Sequence, residues 1–597
     1  MTPTTDTYTL LRALVDEFVR CGMRAACTSP GSRSAPLVLT LAREERLRCF
    51  SHIDERCAGF FALGLAKASG LPVAVACTSG TAAAELLPAA VEAHEARVPL
   101  LLLSADRPAE LRENGAGQAI DQLKLFGEAA KWFFEVDLRD CGAAQLRWIR
   151  TLACRAYWRT LEGRPGVVHL NFPLREPLVE EGELPLDGSA RPYGGPYVLR
   201  TPASAGADSE RAALSELVSR AQRGVLIAGR HERDEGLAGA AAEFAAAAGW
   251  PLLADPLSGA RRGPAAVAHY DALLREPGFA QSHAPDLVLR VGDLPVSKPL
   301  RTWLAGLDQV THVALDPEGA WQDPASVLSH SIAVDPAAAL FALSAALRDS
   351  PVRPGPAPGD WLQRWRSADE RAAEAILGVL AAEDLSEPAL AGELGVLLPQ
   401  EATLFVASSM PVRDIETFWP VRADPPRVLC NRGANGIDGI VSSAFGAAGA
   451  AEGAGPVVLL IGDVALAYDI GGLLAASRLQ LKLTIVLVDN AGGGIFDFLA
   501  VSRASIARAP AGHRLSDAEE DIYTRHVATP TGLDFARAAS LYGLAHERVS
   551  DLAGFRAALE RALDGERSGI IEVRGERARN VELHARVWRA VAGALSR

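Results

Sequence analysis

Short apolar runs alternate with longer Ala/Leu-rich stretches of helical period along the whole chain. Such runs are "PVAVACTS", "VPLLLLSAD" and "GVVHLNFP" near the N-terminus, then "GVLIAGR", "PLLAD", "DLVLRVG" and "THVALD", then "PVVLLIGD", "LTIVLVDN" and "GIIEVRG". They are too short for helices and lack the polar alternation of a strand wetted on one face. Continuous apolar strands separated by helices predict parallel sheets covered on both sides. Two Pro/Gly-rich stretches, "PLDGSARPYGGPY" (185–197) and "DSPVRPGPAPGDW" (349–361), interrupt the pattern and mark domain boundaries. The prediction is an α/β protein of three doubly wound parallel-sheet domains, spanning 1–190, 197–350 and 361–597.

The first and third segments echo each other. Each contains a strand, a small-residue turn, a helix and a second strand, with Ser79 and Asp106 standing 27 positions apart, as do Asp463 and Asn490. Any βαβ unit has about this length, yet the match suggests two related domains flanking a third.

Composition narrows the class. A chain of 597 residues, 49% hydrophobic, buries several cores. It has no run of about 18 apolar residues to span a bilayer, and "MTPTTDTYTLLRALVDEFVRCG" lacks the basic start and apolar core of a signal peptide, so a soluble, cytoplasmic protein is expected. The eight cysteines form no Cys-x-x-Cys pair and read as buried, inert thiols. A net charge of −13 gives no general field for nucleic acid or anionic lipid, so any anion must be held by local arginines.

The candidate chemistry starts where two apolar runs end, at Asp463 and at Asp489-Asn490. Successive parallel strands end side by side at the carboxyl edge, where open α/β sheets bind ligands. Asp463 and Asn490 then offer a carboxylate and an amide oxygen to one point, and the turn Gly492-Gly493-Gly494 lets a backbone carbonyl join them. A few hard oxygen ligands suit Mg²⁺, which takes the rest from water and phosphate. The alternative is that Asp463 caps the next helix and Asn490-Ala491-Gly492 is an ordinary loop. In the first segment Glu55 follows a strand-like run and opens a helix, a position open to a carboxylate that merely complements the helix dipole. The stretch "LIAGRHERDEG" (226–236) is not Gly-x-Gly-x-x-Gly and reads as structural and not as a dinucleotide site.

Gly-Asp after one strand and Asn after the next resemble the diphosphate-binding motif of thiamine diphosphate enzymes, with Val464 in place of the usual third-position Gly and Asp489 in place of the first Asn. The likeness extends to "TSPGSRSAPL" (Thr28 to Leu37), "HIDER" (His52 to Arg56), "TSGTAAAELLPAAVEA" (Thr78 to Ala93), "LSADRP" (Leu103 to Pro108), "GQAIDQ" (Gly117 to Gln122), "PVSKPL" (Pro295 to Leu300), "SSMPVRD" (Ser408 to Asp414) and "NRGANGIDG" (Asn431 to Gly439). Together these resemble the 2-succinyl-5-enolpyruvyl-6-hydroxy-3-cyclohexene-1-carboxylate synthase family, thiamine diphosphate enzymes of menaquinone biosynthesis, from about residue 10 to 590. "TSGTA" is shared across the superfamily, whereas "NRGANGIDG" with "TSPGSRSAPL" is specific to the family.

The resemblance implies a pyrimidine-binding first domain, a central domain and a diphosphate-binding third domain. It also implies a transferase reaction: decarboxylation of 2-oxoglutarate and conjugate addition of the succinyl carbanion to isochorismate. Glu55 would be the catalytic carboxyl at the aminopyrimidine N1′. Thr78, Gly80, Ser409, Ile437, Asp463 and Asn490 would join it around the cofactor, with Ile437 as the apolar wedge. The metal, Mg²⁺ or Mn²⁺, would sit on Asp463, Asn490 and the Gly492 carbonyl. Ser32, Arg33, Arg107, Gln118, Lys298, Ser409, Arg413, Arg432 and Phe496 would line the substrate side, the guanidinium forks matching the carboxylates of both substrates. Because the cofactor must bridge first and third domains, the family pattern implies a homodimer or a dimer of dimers. Gly117, Pro299 and Ser408 depart from the family pattern beside three of these contacts. The rival reading is another 2-oxo-acid carboligase or decarboxylase of acetolactate-synthase type, which the arginine set disfavours. A cofactor-binding protein without catalysis would be expected to lack Glu55.

Overall fold

The computed structural model describes the chain except residues 1–2, 139, 181, 183, 185–186, 193, 201–207, 232–234, 350–357, 384, 452, 505–520 and 597. Parts of both expected linkers, and residues 232–234 of "LIAGRHERDEG", therefore lie outside the described residues.

Three all-parallel sheets form the framework. The first contains β1 (Ala25–Thr28), β2 (Arg48–Ser51), β3 (Val73–Cys77), β4 (Leu100–Asp106), β5 (Ala130–Glu135) and β6 (Val167–Pro173), in the order β2-β1-β3-β4-β6-β5. The second contains β7 (Gly224–Ala228), β8 (Leu252–Ala254), β9 (Leu287–Val291), β10 (Thr311–Leu315) and β11 (His330–Ile332), ordered β11-β10-β9-β7-β8. The third contains β12 (Thr403–Val406), β13 (Arg427–Leu429), β14 (Val457–Gly462), β15 (Thr484–Asp489), β16 (Ala545–Val549) and β17 (Gly569–Arg574), ordered β13-β12-β14-β15-β17-β16. The quoted apolar runs are β3, β4, β6 to β10, β14, β15 and β17, all but the edge strand β8 interior to their sheets. β3, β4, β6, β7 and β9 are buried at every position because both sheet faces are covered.

The first and third sheets have one topology, strand for strand. Under that equivalence β3 and β4 correspond to β14 and β15, the strands that precede the two 27-residue pairs. In both sheets the strand order reverses beside the first strand, which opens a crevice at the carboxyl edge.

The chain divides into two compact units. One comprises Met1–Ala203, Asn431–Gly453 and Tyr468–Leu483; the other Ser204–Cys430, Ala454–Ala467 and Thr484–Arg597. In the first unit the helix Glu55–Ser69 packs against the helix Ile440–Ala450. The contact is close because it is made by glycines: a Cβ on Gly64 would overlap the Ser443 carbonyl, one on Gly446 the Phe61 carbonyl, and one on Gly439 the Phe60 ring. The Ser443 hydroxyl donates to the Phe60 carbonyl at 3.0 Å. Gly64→Ala should force the helices apart at a cost of about 3 kcal/mol, the upper range for overpacking. Its thermal unfolding midpoint should fall by several degrees in calorimetry, and an unchanged midpoint would contradict this packing.

The second unit holds both remaining sheets. One apolar core runs through them, from Val225, Leu253 and Tyr270 to Trp365, Leu404 and Val486. Among the described residues no helix is long and apolar enough to cross a membrane. All eight cysteines are free, six of them buried and Cys49 and Cys141 partly so.

Candidate active site

In the first unit, parallel strands bring Ser32, Arg33, Glu55, Thr78, Gly80 and Arg107 to one carboxyl edge, since they follow β1, β2, β3 and β4. Gly31 lies so near Thr78 that any side chain would overlap it, which joins the loops after β1 and β3. Glu55 is the first residue of the helix Glu55–Ser69, behind the N-cap Asp54, whose side chain accepts from Arg56 N–H. The dipole reading of Glu55 thus holds as far as it goes. Burial raises the Glu55 pKa, its own backbone N–H opposes this, and the Asp54 and Glu85 charges add to the rise. Such a carboxyl holds a proton more readily than an exposed one.

Arg33 is 9% exposed. Its Nη1 donates to the Leu174 carbonyl at 2.9 Å and its Nη2 lies 3.2 Å from Glu176, while its Nε is enclosed and has no partner among the described residues. Burial lowers the Arg107 pKa and the nearby Arg33 charge lowers it further, against the Asp106 and Glu176 charges. An anion placed at this edge would add to the Glu176 carboxylate in offsetting the two positive charges.

A polar latch holds this edge. Arg107 donates to the Ser79 hydroxyl, which donates to the Gln118 carbonyl at 3.1 Å, and Gln118 Nε2 returns a bond to the Ser79 carbonyl at 2.9 Å. Gly80 N–H donates to Gln122 Oε1 at 2.9 Å. Gly80 (φ 85°) and Gln118 (φ 58°) both sit in the left-handed region. A Cβ at Gly80 would also stand 3.0 Å from Gln118, so glycine is required there twice over. Ser79 and Gln122 were not among the candidate site residues, although both fall inside the quoted motifs.

Arg432 and Ile437 belong to the same unit, on the loop that enters the helix Ile440–Ala450. The Glu92 carboxylate anchors that loop. It accepts from Gly433 N–H at 2.8 Å and Ala434 N–H at 2.6 Å and pairs with the fully buried Lys67 at 3.6 Å.

The second unit carries Lys298, Ser409, Arg413, Asp463, Asn490, Gly492 and Phe496. Asp463 follows β14 and Asn490 follows β15, so they are neighbours at the edge of the third sheet. Asp463 is 1% exposed and opens the helix Asp463–Tyr468. Gly492 N–H donates to Asp463 Oδ2 at 2.8 Å, which ties the loop after β15 to the carboxylate. Ala491 (φ 59°) and Gly492 (φ 131°) turn that loop through the left-handed region, and a Cβ on Gly492 would overlap the Arg577 guanidinium. The Gly492 carbonyl accepts from Gly494 N–H at 2.8 Å, leaving one lone pair. Asn490 Nδ2 donates to Glu387 Oε1 at 2.8 Å, while its Oδ1 is enclosed and accepts nothing among the described residues.

Burial pushes the Asp463 carboxyl up to about 6, against a bond from Val464 N–H and with help from the Asp489 charge. A buried carboxylate at this cost, an enclosed amide oxygen without a donor and a glycine carbonyl form a hard oxygen set that fits a divalent cation. Ser409 (φ 77°) stands at the N-cap position of the helix Met410–Phe418 without a side-chain capping bond, and Arg413 donates back to the Ser409 carbonyl. Phe496 is 37% exposed in the short turn Gly494–Phe498, against Gly493. Lys298 is exposed at the start of the helix Lys298–Ala305 on the middle sheet.

Behind Asn490 lies a group of titratable side chains that sequence reading missed. Burial pushes Glu387 up to about 7, and the Asp414 charge acts in the same direction. Asp414 Oδ1 is 2.9 Å from His584 Nε2; burial opposes the imidazolium, but the Asp414 contact outweighs it and His584 is raised.

Three profiles match the chain: "Thiamine pyrophosphate enzyme, N-terminal TPP binding domain" over residues 8–125, "Middle domain of thiamine pyrophosphate" over 199–406, and "Thiamine pyrophosphate enzyme, C-terminal TPP binding domain" over 413–573. Among proteins of known name, the chain is 43% identical over 586 residues to the 2-succinyl-5-enolpyruvyl-6-hydroxy-3-cyclohexene-1-carboxylate synthase of Geobacillus kaustophilus, covering 97% of each chain. It is 42% identical to the protein of the same name from Chloroflexus aurantiacus, covering 98% of this chain and 96% of that one. With the Listeria innocua protein of that name the identity is 38%, over 98% of this chain and 97% of that one.

Proposed function

The chain belongs to the 2-succinyl-5-enolpyruvyl-6-hydroxy-3-cyclohexene-1-carboxylate synthase family, thiamine diphosphate-dependent transferases of menaquinone biosynthesis, and from that premise we propose that it joins 2-oxoglutarate, with loss of CO₂, to isochorismate. The observation that carries this choice of substrates is the Arg33–Arg107 pair at the edge that also bears Glu55. Both substrates are dicarboxylates, which two guanidinium forks can match, whereas pyruvate, the substrate of an acetolactate-type enzyme, offers one carboxylate.

Thiamine diphosphate, when bound, supplies the electron sink for decarboxylation and carbon–carbon bond formation. The chain supplies the rest. Glu55 holds and moves the proton at N1′ of the aminopyrimidine. Thr78, Gly80, Ser409 and Ile437 would shape the cofactor's surroundings, and Asp463, Asn490 and the Gly492 carbonyl would hold Mg²⁺ or Mn²⁺. Ser32, Arg33, Arg107, Gln118, Lys298, Ser409, Arg413, Arg432 and Phe496 orient the two substrates. We assign 1–190 as the pyrimidine-binding domain, 197–350 as the central domain and 361–597 as the diphosphate-binding domain, in a cytoplasmic homodimer or dimer of dimers with sites shared between subunits. The family resemblance supports this arrangement.

The test follows isochorismate absorbance with purified protein, thiamine diphosphate, Mg²⁺ and 2-oxoglutarate, with pyruvate as the alternative keto acid. Loss of absorbance that requires the cofactor and 2-oxoglutarate is the expected result. Turnover of pyruvate with isochorismate untouched would overturn the substrate assignment in favour of an acetolactate-type carboligase.

A further inference from the structure

An asparagine amide has a donor end and an acceptor end of almost the same shape, and only the oxygen can ligate a cation. Something must therefore decide which end of Asn490 faces the metal. The Glu387 carboxylate stands 2.8 Å from Nδ2, and the opposite atom, Oδ1, is enclosed with no donor among the described residues. Rotating the amide by half a turn would set Oδ1 against the carboxylate and break that bond. Gly494 completes the cradle. A Cβ there would stand 2.9 Å from Asn490 Nδ2, so the amide lies flat against the turn only because residue 494 is glycine. Glu387 in turn is fixed as the first residue of the helix Glu387–Leu397, whose N-cap Ser386 accepts from Ala389 N–H. Glu387 also lines a cavity of about 310 Å³ with Glu383, Arg574 and Arg579.

We infer that Glu387 is a positioning residue for the metal site: by accepting from Asn490 Nδ2 it leaves Oδ1 as the end that ligates the cation. The inference rests on the proposal that Asp463 and Asn490 hold the metal. It assigns to a helix some hundred residues earlier in the chain the task of choosing the orientation of a ligand, a role of the kind that outer partners of metal ligands commonly play.

The experiment measures Mn²⁺ binding directly, by the electron paramagnetic resonance signal of free Mn²⁺ during titration of the full chain with saturating thiamine diphosphate. Glu387→Ala should raise the Mn²⁺ dissociation constant about 10- to 100-fold. Glu387→Gln keeps an oxygen that can accept from Nδ2 and should bind close to the wild type, which separates loss of the hydrogen bond from general disruption. Unchanged affinity in Glu387→Ala would overturn the inference, as would a loss in Glu387→Gln equal to that in Glu387→Ala. Asn490→Ala serves as the reference. If it too binds Mn²⁺ like the wild type, the metal assignment itself fails, and that outcome is distinct from a failure confined to Glu387.

Discussion

Glu55→Gln should retain thiamine diphosphate binding and lose turnover by about 10²- to 10⁴-fold, the usual contribution of one positioned proton-transfer group. The substitution preserves size and a hydrogen-bonding end, so the helix start at residue 55 and its Asp54 cap are undisturbed. What it removes is an acidic proton. Burial and the charges of Asp54 and Glu85 raise the Glu55 pKa, so the native group can exchange its proton with a weakly basic ring nitrogen, which an amide cannot do at all. The loss corresponds to about 3–5 kcal/mol of transition-state stabilisation. Calorimetry with the cofactor, alongside steady-state turnover, reads the two quantities separately. Wild-type turnover in the variant would remove Glu55 from the proton path.

Asp463→Ala should fail earlier, at cofactor binding. Its carboxylate is the one full negative charge in the proposed donor set, it is 1% exposed, and it anchors the Asn490–Gly494 loop through Gly492 N–H. Removing it deletes a ligand and frees the loop that carries the other two. Thiamine diphosphate affinity in the presence of Mg²⁺ should drop by more than about 100-fold, beyond the loss expected for an outer partner. The dependence of affinity on Mg²⁺ should vanish with it. An unchanged, Mg²⁺-dependent affinity by calorimetry would move the metal elsewhere.

Much of the framework was legible in the chain because parallel strands are buried on both faces and so appear as unbroken aliphatic runs. The 27-residue echo was legible too, and it reflects two sheets of one topology in which β3-β4 and β14-β15 are equivalent. Asp463 and Asn490 could be paired from spacing because both follow neighbouring strands of one βαβ unit. The supports of the site were not legible, for a physical reason. Ser386-Glu387-Pro388 reads as an ordinary helix start, with a capping serine and an acid in the first turn, and nothing local distinguishes it from other such starts. Its meaning comes from Asn490, 103 positions away. The same holds for Glu92, whose carboxylate serves Gly433 and Ala434 across more than 340 positions. Likewise nothing local marks Gly64 in the helix Glu55–Ser69; that glycine is set by how closely the Ile440–Ala450 helix approaches.

That approach has a consequence for biosynthesis. The helix Ile440–Ala450 begins 371 positions after the helix Glu55–Ser69 ends. At ribosomal speeds of about 5–20 residues per second, the second helix emerges about 20–75 s after the first. For that interval the face of the first helix around Phe60, Phe61 and Gly64 has no native cover from Ile440–Ala450. The N-terminal sheet can assemble early, but the compact unit it belongs to can close only after most of the polypeptide has left the ribosome. An apolar, glycine-lined helix face thus waits in the nascent chain where a holdase can shield it, and a chain truncated before residue 431 would leave it uncovered for good.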